Sequence, residues 1–216
     1  IGNLKDITYR AAETLKEADA VACEDTRHTG RLLAAYGINK KLISCHSNSG
    51  TGAVDRILEL LEKGGNVAYA SDAGTPGISD PGAYITAKVR EAGHAVVPIP
   101  GPSAAAALVS AAGITGRSFT FDGFLSPKSG KRRKRLEELL AREENIILYE
   151  SPHRIVKLLE LLADLATNRI LCVGREMTKL HEEFLTGTAE EILGQLQEKS
   201  AVKGEFALFI TGKKNG

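Results

Sequence analysis

Short apolar runs alternate with helical patterns along the first half of the chain. Four nearly continuous apolar runs, typical of strands covered on both faces, lie at residues 20–23, 42–45, 67–70 and 95–99. Apolar residues at helical spacing occupy residues 7–18, 27–35, 52–63 and 83–92. This alternation predicts an α/β domain built on a parallel sheet. The opening stretch IGNLKDITYRA is typical of a turn that enters a helix, so we expect a strand to precede residue 1.

The pattern changes in the middle of the chain. PIPGPSAAAALVSAAGI, residues 98–114, predicts a Pro/Gly turn and a helix of small residues, and TGRS, residues 115–118, is a candidate linker. Beyond it we expect strands at residues 119–123, 146–150, 170–174, 183–186 and 206–211 and helices at 131–142, 153–165 and 189–197. Little helix separates the last strands, which favours a mixed sheet. We therefore predict two α/β domains, residues 1–114 and 118–216.

Composition limits the classes of protein that fit these patterns. With 43% hydrophobic and 25% charged residues, the chain of 216 residues matches an ordinary globular protein. It has no apolar run near the roughly 18 to 20 residues that span a membrane, so we expect no membrane partner. Cys23, Cys45 and Cys172 lie on apolar runs without a CxxC pair. We interpret them as reduced core thiols of a cytoplasmic protein.

Polar loops rich in glycine and proline follow several of the predicted strands. They are GNLKDI, EDTRHTG, SCHSNSG, SDAGTPGISDPG and PGPSA. In open α/β sheets, ligands bind where the carboxyl ends of the strands lead into such loops. The loop at residues 71–82 combines three glycines, two prolines and two aspartates, which favours a rigid backbone that a ligand can approach closely. Taken alone, each loop is equally compatible with an ordinary turn.

Common nucleotide and metal motifs are missing from the sequence. No GxGxxG follows a strand, and GFLSPKSGKR departs from the P-loop in its spacing and in the residue after Lys131. We find no zinc spacing of Cys and His and expect no metal.

A basic run, KSGKRRKR, occupies residues 128–135 and has Lys or Arg at six of its eight positions. The net charge of the chain is only +1, so this run is a local patch that suits binding to RNA phosphates. Its candidate RNA-binding residues are Lys128, Lys131, Arg132, Arg133, Lys134 and Arg135. A solvated surface helix is the alternative interpretation. Because the run has no interleaved aromatic residue, bases must stack elsewhere or not at all.

Nine motifs together resemble the ribosomal RNA small subunit methyltransferase I family of the tetrapyrrole methylase superfamily. They run from Gly2 to Ile210 and are GNLKDIT, EDTRHTGRLL, SCHSNS, SDAGTPGISDPG, PIPGPSA, FDGFLSPKSGKRRKRL, YESPHRI, REMTKLHEEFLTGT and KGEFALFI. The resemblance implies transfer of a methyl group from S-adenosylmethionine to the ribose 2′-hydroxyl of a cytidine in the decoding region of 16S rRNA, in the small ribosomal subunit. It also implies a homodimer and a non-Rossmann fold of two α/β domains, with a parallel sheet in the first, a mixed sheet in the second and a cofactor cleft between them.

The resemblance also implies which residues bind the cofactor. In the first domain these are Asp72, Ala73, Gly74, Thr75, Ile78 and, on a facing turn, Ser103 and Ala104. In the second domain they are Tyr149, Met177, Phe206 and Ala207. A few polar anchors among small and apolar walls suit a cofactor that carries a sulfonium, a ribose and an adenine. For each residue of the second domain, a plain core role is the alternative.

A ribose hydroxyl is a poor nucleophile, so a nearby base or hydrogen-bond acceptor would assist the transfer. Seven side chains in polar loops at strand ends are candidates, and the sequence does not rank them: Glu24, Asp25, His46, Glu150, His153, Glu176 and Glu205.

Two other functions stay open. A methylase of small tetrapyrrole precursors would share the cofactor loops without needing the basic run. A non-catalytic RNA-binding module would need the run without the loops. Binding of S-adenosylmethionine would distinguish an enzyme from the RNA-binding module. The identity of the methylated product would distinguish an RNA methyltransferase from a tetrapyrrole methylase.

Overall fold

The structure is a computed structural model that describes residues 1–45, 52–198 and 201–213. His46, one of the candidate bases, lies outside the described residues. The chain divides into two compact units, Ile1–Ser103 and Ala104–Gly216. Each unit has its own sheet and its own core.

The first unit contains a parallel sheet, as predicted, with three of the four expected strands. The strands are β1 (Ala20–Cys23), β2 (Lys41–Ser44) and β3 (Val67–Ala70), in the order β2-β1-β3. Cys23 pairs with Ser44 on one side and Ala70 on the other, so the three strands end at the same edge of the sheet. The helices around them are α1 (Tyr9–Glu17), α2 (Thr26–Ala35), α3 (Gly52–Glu62) and α4 (Gly82–Glu91), and a short 3-10 helix (Leu4–Asp6) precedes α1.

The central strand β1 is buried on both faces because successive side chains of a strand point to opposite sides. Ala20 and Ala22 pack into one cluster, with residues of α3 and α4. Val21 packs into another, with residues of α1 and α2. This placement explains why the sequence of β1 is a continuous apolar run instead of an alternating one.

The strand predicted at residues 95–99 is wrong. Residues 94–103 form neither helix nor strand. Pro98, Pro100 and Pro102 have no N–H to donate to a sheet, so this segment cannot pair as a regular strand. Its apolar residues still contribute to the core, because Val96 packs against the cluster that contains Ala20 and Ala22.

The second unit contains a mixed sheet, as predicted. Its strands are β4 (Phe119–Phe124), β5 (Asn145–Glu150), β6 (Leu171–Arg175), β7 (Glu183–Gly187) and β8 (Phe206–Ile210). The sheet order is β4-β5-β8-β6-β7, with β4 and β5 parallel and the other pairs antiparallel. The helices are α5 (Ala104–Ala111), α6 (Ser129–Leu140), α7 (Ile155–Leu165) and α8 (Ala189–Gln197).

The boundary between the units lies before α5, whereas the sequence suggested a linker at residues 115–118. Helix α5 packs against β8 and β6 of the second sheet, and Leu108 at its centre is fully buried. Helix α5 therefore joins the second unit through Leu108, whereas its small residues are half-buried or exposed.

The three cysteines are buried and unpaired, which confirms their prediction as core thiols. Burial raises the pKa of each thiol above its ordinary value. Among the described residues, no helix combines the length and the apolar character needed to cross a membrane.

Candidate functional site

The loop at residues 71–82 follows β3 and lies beside the turn that follows β1. The backbone N–H of Asp25 donates to Oδ1 of Asp72 at 3.0 Å. Asp25 in turn caps α2 by accepting from the backbone N–H groups of Arg27 and His28. Two adjacent parallel strands thus end in loops that are tied together, which is the position where open α/β sheets bind ligands.

Asp80 organises the second half of this loop. Its carboxylate accepts hydrogen bonds from the backbone N–H groups of Gly77, Ile78 and Gly82, at 2.7, 3.1 and 2.7 Å. The hydroxyl of Tyr69, on β3, also donates to Asp80, at 3.3 Å. Burial of Tyr69 and the charge of Asp80 raise the pKa of this phenol, so it stays a neutral donor. One carboxylate therefore fixes the loop to its own strand and to the start of α4.

Close approaches show why glycine is needed at two positions of the loop. A Cβ on Gly82 would lie 2.7 Å from both Asp80 Oδ1 and a ring carbon of Tyr69. Gly74 has a φ of +80°, and a Cβ there would lie 3.0 Å from the carbonyl oxygen of Pro102. Ser79 also has a positive φ, of 64°, which is strained for a residue with a side chain. The loop is held in a conformation that few sequences can adopt.

A second connection joins the loop to the turn at residues 101–103. The backbone N–H and the hydroxyl of Thr75 both donate to the carbonyl of Pro102, at 2.9 and 3.1 Å. The hydroxyl of Ser71 donates to the carbonyl of Gly74, at 2.9 Å. The structure therefore brings Asp72, Gly74 and Thr75 to the same edge of the sheet as the turn that contains Ser103. Ala73 and Ile78 of the same loop are exposed.

The residues predicted to bind the cofactor from the second unit have clear structural contacts. The hydroxyl of Tyr149 accepts from the backbone N–H of Ala105, at 2.9 Å, in the first turn of α5. Met177 is buried and packs over β6, where a Cβ on Gly174 would lie 2.5 Å from its sulfur. Phe206 and Ala207 are buried in β8. A core role accounts for these contacts, and binding of the cofactor by these residues stays a prediction.

The described candidate bases in the first unit have different surroundings. Side-chain and backbone hydrogen bonds from Arg27 hold the pKa of Asp25 well below its ordinary value, which makes Asp25 a weak base. Glu24 is partly buried, and its charge contributes to the raised pKa of Tyr69. The cap and the ion pair of Asp25 indicate a structural role.

In the second unit, Glu150 is buried and bound by Arg154, whereas His153 is exposed. Lys179 links the other two candidates, since its ammonium lies 2.9 Å from Glu176 Oε1 and 3.0 Å from Glu205 Oε2. Burial works against the charge of Glu176, but the N–H of Glu205 and the ammonium of Lys179 outweigh it and lower the pKa of Glu176. Glu176 is therefore an ionised and weak base.

The residues around Met177 adopt unusual backbone conformations. Glu176 and Thr178 have positive φ angles of 48° and 66°. Strain of this kind persists only where the surrounding contacts hold it. Here Lys179 and Glu205 hold Glu176 on one side of Met177, and Glu182 accepts from the backbone N–H of Thr178 on the other.

The basic run begins at Lys128, the N-cap of α6, and continues through the first half of this helix. Its arginines and its lysines have different surroundings. Arg133 pairs with Glu137 at 2.9 Å and Asp164 at 3.0 Å. Nε of Arg135 lies 3.1 Å from both carboxylate oxygens of Asp122. The third arginine of the run, Arg132, is buried. The three lysines of the run, Lys128, Lys131 and Lys134, are exposed.

Asp80 and Tyr69 are missing from the sequence-based selection of site residues. The signal for Asp80 is its position directly before Pro81 and Gly82 at the start of a helix, where an acidic side chain commonly binds free backbone N–H groups. Tyr69 lies within an apolar run and gives no signal of its own.

Comparisons with known proteins agree on one family. The family described as Tetrapyrrole (Corrin/Porphyrin) Methylases matches residues 1–193. Ribosomal RNA small subunit methyltransferase I of Bacillus subtilis is 44% identical over all of this chain and 73% of its own length. The protein of the same name from Borrelia garinii is 42% identical over 98% of this chain and 95% of its own length. The protein of this name from Escherichia coli O157:H7 is 43% identical over 99% of this chain and 76% of its own length.

Two solved structures share the fold. The methyltransferase CobJ superposes with a TM-score of 0.70 at 17% identity, covering all of this chain and 93% of its own. The cobalt precorrin-4 methyltransferase CbiF superposes with a TM-score of 0.71, also at 17% identity, covering 97% of this chain and 90% of its own. At this identity the likeness concerns the fold alone. From the family match, the fold and the identity to these relatives together, the chain belongs to the tetrapyrrole methylase family, in the group that includes the ribosomal RNA small subunit methyltransferases I.

Proposed function

We propose that this protein transfers a methyl group from S-adenosylmethionine to the ribose 2′-hydroxyl of a cytidine in the decoding region of small-subunit ribosomal RNA. The observation that carries the proposal is the identity of 42–46% to relatives named ribosomal RNA small subunit methyltransferase I, over nearly the whole chain. The exposed lysines of α6 support an RNA substrate, because phosphate contacts dominate the affinity of proteins for RNA. A homodimer and a cytoplasmic location stay predictions.

Methyltransferases of this family use S-adenosylmethionine, and the loops of the first unit fit this cofactor. Asp72 accepts a hydrogen bond on Oδ1 from the N–H of Asp25, and its second oxygen would bind a hydroxyl of the ribose. Gly74 lets the loop approach the carbonyl of Pro102, Gly101 leaves room for the hydroxyl of Thr75, and Ile78 of the same loop exposes an apolar side chain. When bound, S-adenosylmethionine supplies a methyl group on a positively charged sulfur, already activated for transfer.

The work left to the protein is therefore positioning. The hydrogen bonds of Asp80, Thr75 and Asp25 hold the cofactor loop in one conformation before the cofactor arrives, so binding costs little ordering. The 2′-hydroxyl must also lose its proton. Asp25 and Glu176 are weak bases in this structure, and the choice among the remaining candidates is open.

The proposal is tested by offering four substrates in parallel: assembled small ribosomal subunits, free small-subunit rRNA, a short oligonucleotide that contains the cytidine, and a tetrapyrrole precursor. We expect methylation of the ribosomal RNA, far better in assembled subunits than in a short oligonucleotide that contains the cytidine. The chain has no tryptophan and 5% aromatic residues, so it has few platforms to read bases and depends on the shape of its substrate. Mass spectrometry of nuclease-digested RNA then locates the methyl group. A methylated base, or a methylated tetrapyrrole with unmodified RNA, would contradict the proposal.

Replacing Gly74 by Val should weaken binding of both S-adenosylmethionine and its demethylated product about tenfold or more. The added Cβ would meet the carbonyl oxygen of Pro102 at 3.0 Å, and φ is +80°. Strain of about 1–3 kcal/mol must then be relieved by moving the loop, and each 1.4 kcal/mol is a factor of ten in affinity. Titration calorimetry measures the effect.

Gly64 provides the matched control for this substitution. It lies in the same unit and also has a φ of +80°, but a Cβ added there would meet no described atom within 4 Å. Gly64→Val therefore imposes the same backbone strain away from the loop and should leave the affinity within about twofold. Equal losses of affinity in both variants would show that the effect of Gly74→Val is general destabilisation.

A further inference from the structure

Apart from Arg132, the positive charges of the basic run fall into two sets. Arg133 and Arg135 each have two acidic partners, which balance their charge and fix α6 to neighbouring elements. Lys128, Lys131 and Lys134 form what we call the lysine face. They are exposed, lie three residues apart and take part in none of the ion pairs among the described residues. Residues at this spacing are neighbours on one side of a helix, so the lysine face presents adjacent charges to solvent.

Arg132 is a buried cation near the start of the same helix. Its side chain is 8% exposed, and its buried Nε has no hydrogen-bond acceptor among the described residues. Leaving such a donor unpaired is costly. The first turn of α6 has no side-chain cap, and the side chains of a helix lean towards its N-terminus, so Arg132 covers this uncapped turn. An uncapped helix N-terminus beside a buried cation suits a phosphate group.

An exposed aromatic ring precedes this charge. Phe124 ends β4, an edge strand of the sheet, and its side chain is 53% exposed. The ring of Tyr149 meets it edge-on, with centroids 5.7 Å apart, and the hydroxyl of Tyr149 is bound to Ala105. Four residues of chain reach at most about 14 Å, so the Cα atoms of Phe124 and Lys128 lie no further apart than this. A rigid aromatic ring next to positive charge is what surfaces that bind single-stranded RNA share.

We propose that Phe124, Arg132 and the lysine face form one nucleotide-binding surface. The lysine face and Arg132 bind successive phosphates of the RNA, and Phe124 stacks on an unpaired base. Arg133 and Arg135 hold α6 in place and make no RNA contact. This inference rests on the proposed function, and it identifies the stacking platform that the basic run itself does not contain.

Binding to small-subunit rRNA at several salt concentrations tests the lysine face. The salt slope is the slope of log affinity against log salt concentration, and each phosphate contact on a single strand contributes about 0.7 to it. For Lys128→Gln/Lys131→Gln/Lys134→Gln we expect weaker binding and a salt slope that is shallower by about 2. The control Lys16→Gln/Lys41→Gln/Lys63→Gln removes the same charge from exposed lysines of the first unit and should leave the slope unchanged. An unchanged slope in the first variant overturns the assignment.

Phe124→Ala should weaken RNA binding about tenfold or more. The salt slope should not change, because stacking does not depend on charge. Phe124→Trp keeps an aromatic ring at this position and should bind RNA as the wild type does. Tyr9→Ala removes an aromatic ring that is 93% exposed in the first unit and is the control. Binding of Phe124→Ala at wild-type strength overturns the stacking role. So does a change in oligomeric state by light scattering, which would make Phe124 a contact between copies of the chain.

Arg132→Met tests whether Arg132 contacts phosphate or only packs inside the protein. The substitution keeps an apolar stem but removes a buried charge that has no acceptor among the described residues. We expect a shallower salt slope, by about 0.7, with no loss of thermal stability. Loss of stability with an unchanged slope overturns the role of Arg132.

The wild-type protein distinguishes this inference from the proposed function. If the wild type methylates ribosomal RNA while the variants bind RNA as it does, only the surface assignment fails. If the wild type neither binds nor methylates ribosomal RNA, the proposed function fails and the surface assignment fails with it.

Discussion

Replacing Asp80 by Ala should reduce the affinity for S-adenosylmethionine about a hundredfold and abolish methyl transfer at ordinary cofactor concentrations. The carboxylate of Asp80 accepts from three backbone N–H groups and from Tyr69, and a hydrogen bond to a charged group contributes about 1.5–3 kcal/mol. Without it the loop populates its binding conformation only about 1% of the time, and the apparent affinity falls by that fraction. Calorimetry with the cofactor and with its demethylated product measures the loss.

Two further variants show whether the loop itself is responsible. Tyr69→Phe removes one of the four donors to Asp80 and should cost far less affinity than Asp80→Ala. Asp55→Ala removes an exposed carboxylate of α3 and should leave the affinity unchanged. Circular dichroism checks that each variant is folded. If folded Asp80→Ala binds the cofactor as tightly as the wild type, the loop at residues 71–82 is not the cofactor site.

The fold was predictable from the sequence where one short-range signal decided the outcome. The apolar runs of β1 and β3 match the observed strands. Strand β1 is buried on both faces, which needs a continuous apolar sequence, whereas β3 is half-buried along its length. The segment at residues 95–99 has the same apolar composition and is not a strand. There the three prolines, at positions 98, 100 and 102, decide against backbone pairing.

The candidate site was predictable only in outline. Glycines, prolines and aspartates identified the loop at residues 71–82, but the convergence of three N–H groups on Asp80 depends on backbone angles such as the positive φ of Ser79. The basic run had the same limit. Arg135 forms an ion pair with Asp122 on β4, and Arg133 forms one with Asp164 on α7. Folding therefore determines which charges of the run are balanced.

One charge inside the second unit depends strongly on its partner. Glu150, at the end of β5, is 1% exposed. Its Oε1 lies 2.7 Å from Nη2 of Arg154, in an ion pair, and accepts from the N–H of Ser151 at 2.7 Å. Arg154 also donates to the carbonyl of Leu125, at 3.3 Å. The arginine therefore compensates a buried carboxylate and fastens the segment between β4 and α6.

Replacing Arg154 by Met should lower the free energy of unfolding of the second unit by about 3–5 kcal/mol, because the carboxylate of Glu150 would stay buried without its cation. Urea denaturation followed by circular dichroism measures the loss. Arg117→Met, at an exposed position of the same unit, should change the value by less than about 0.5 kcal/mol.

The double variant Glu150→Leu/Arg154→Met identifies the cause of this loss. It removes both charges, so most of the stability lost in Arg154→Met should return, since an apolar pair of similar size can replace a buried ion pair at little cost. Stability that stays low in the double variant would mean that the hydrogen bond of Arg154 to Leu125 matters more than the pairing of charges. Wild-type stability in Arg154→Met would show that Glu150 does not depend on this arginine at all.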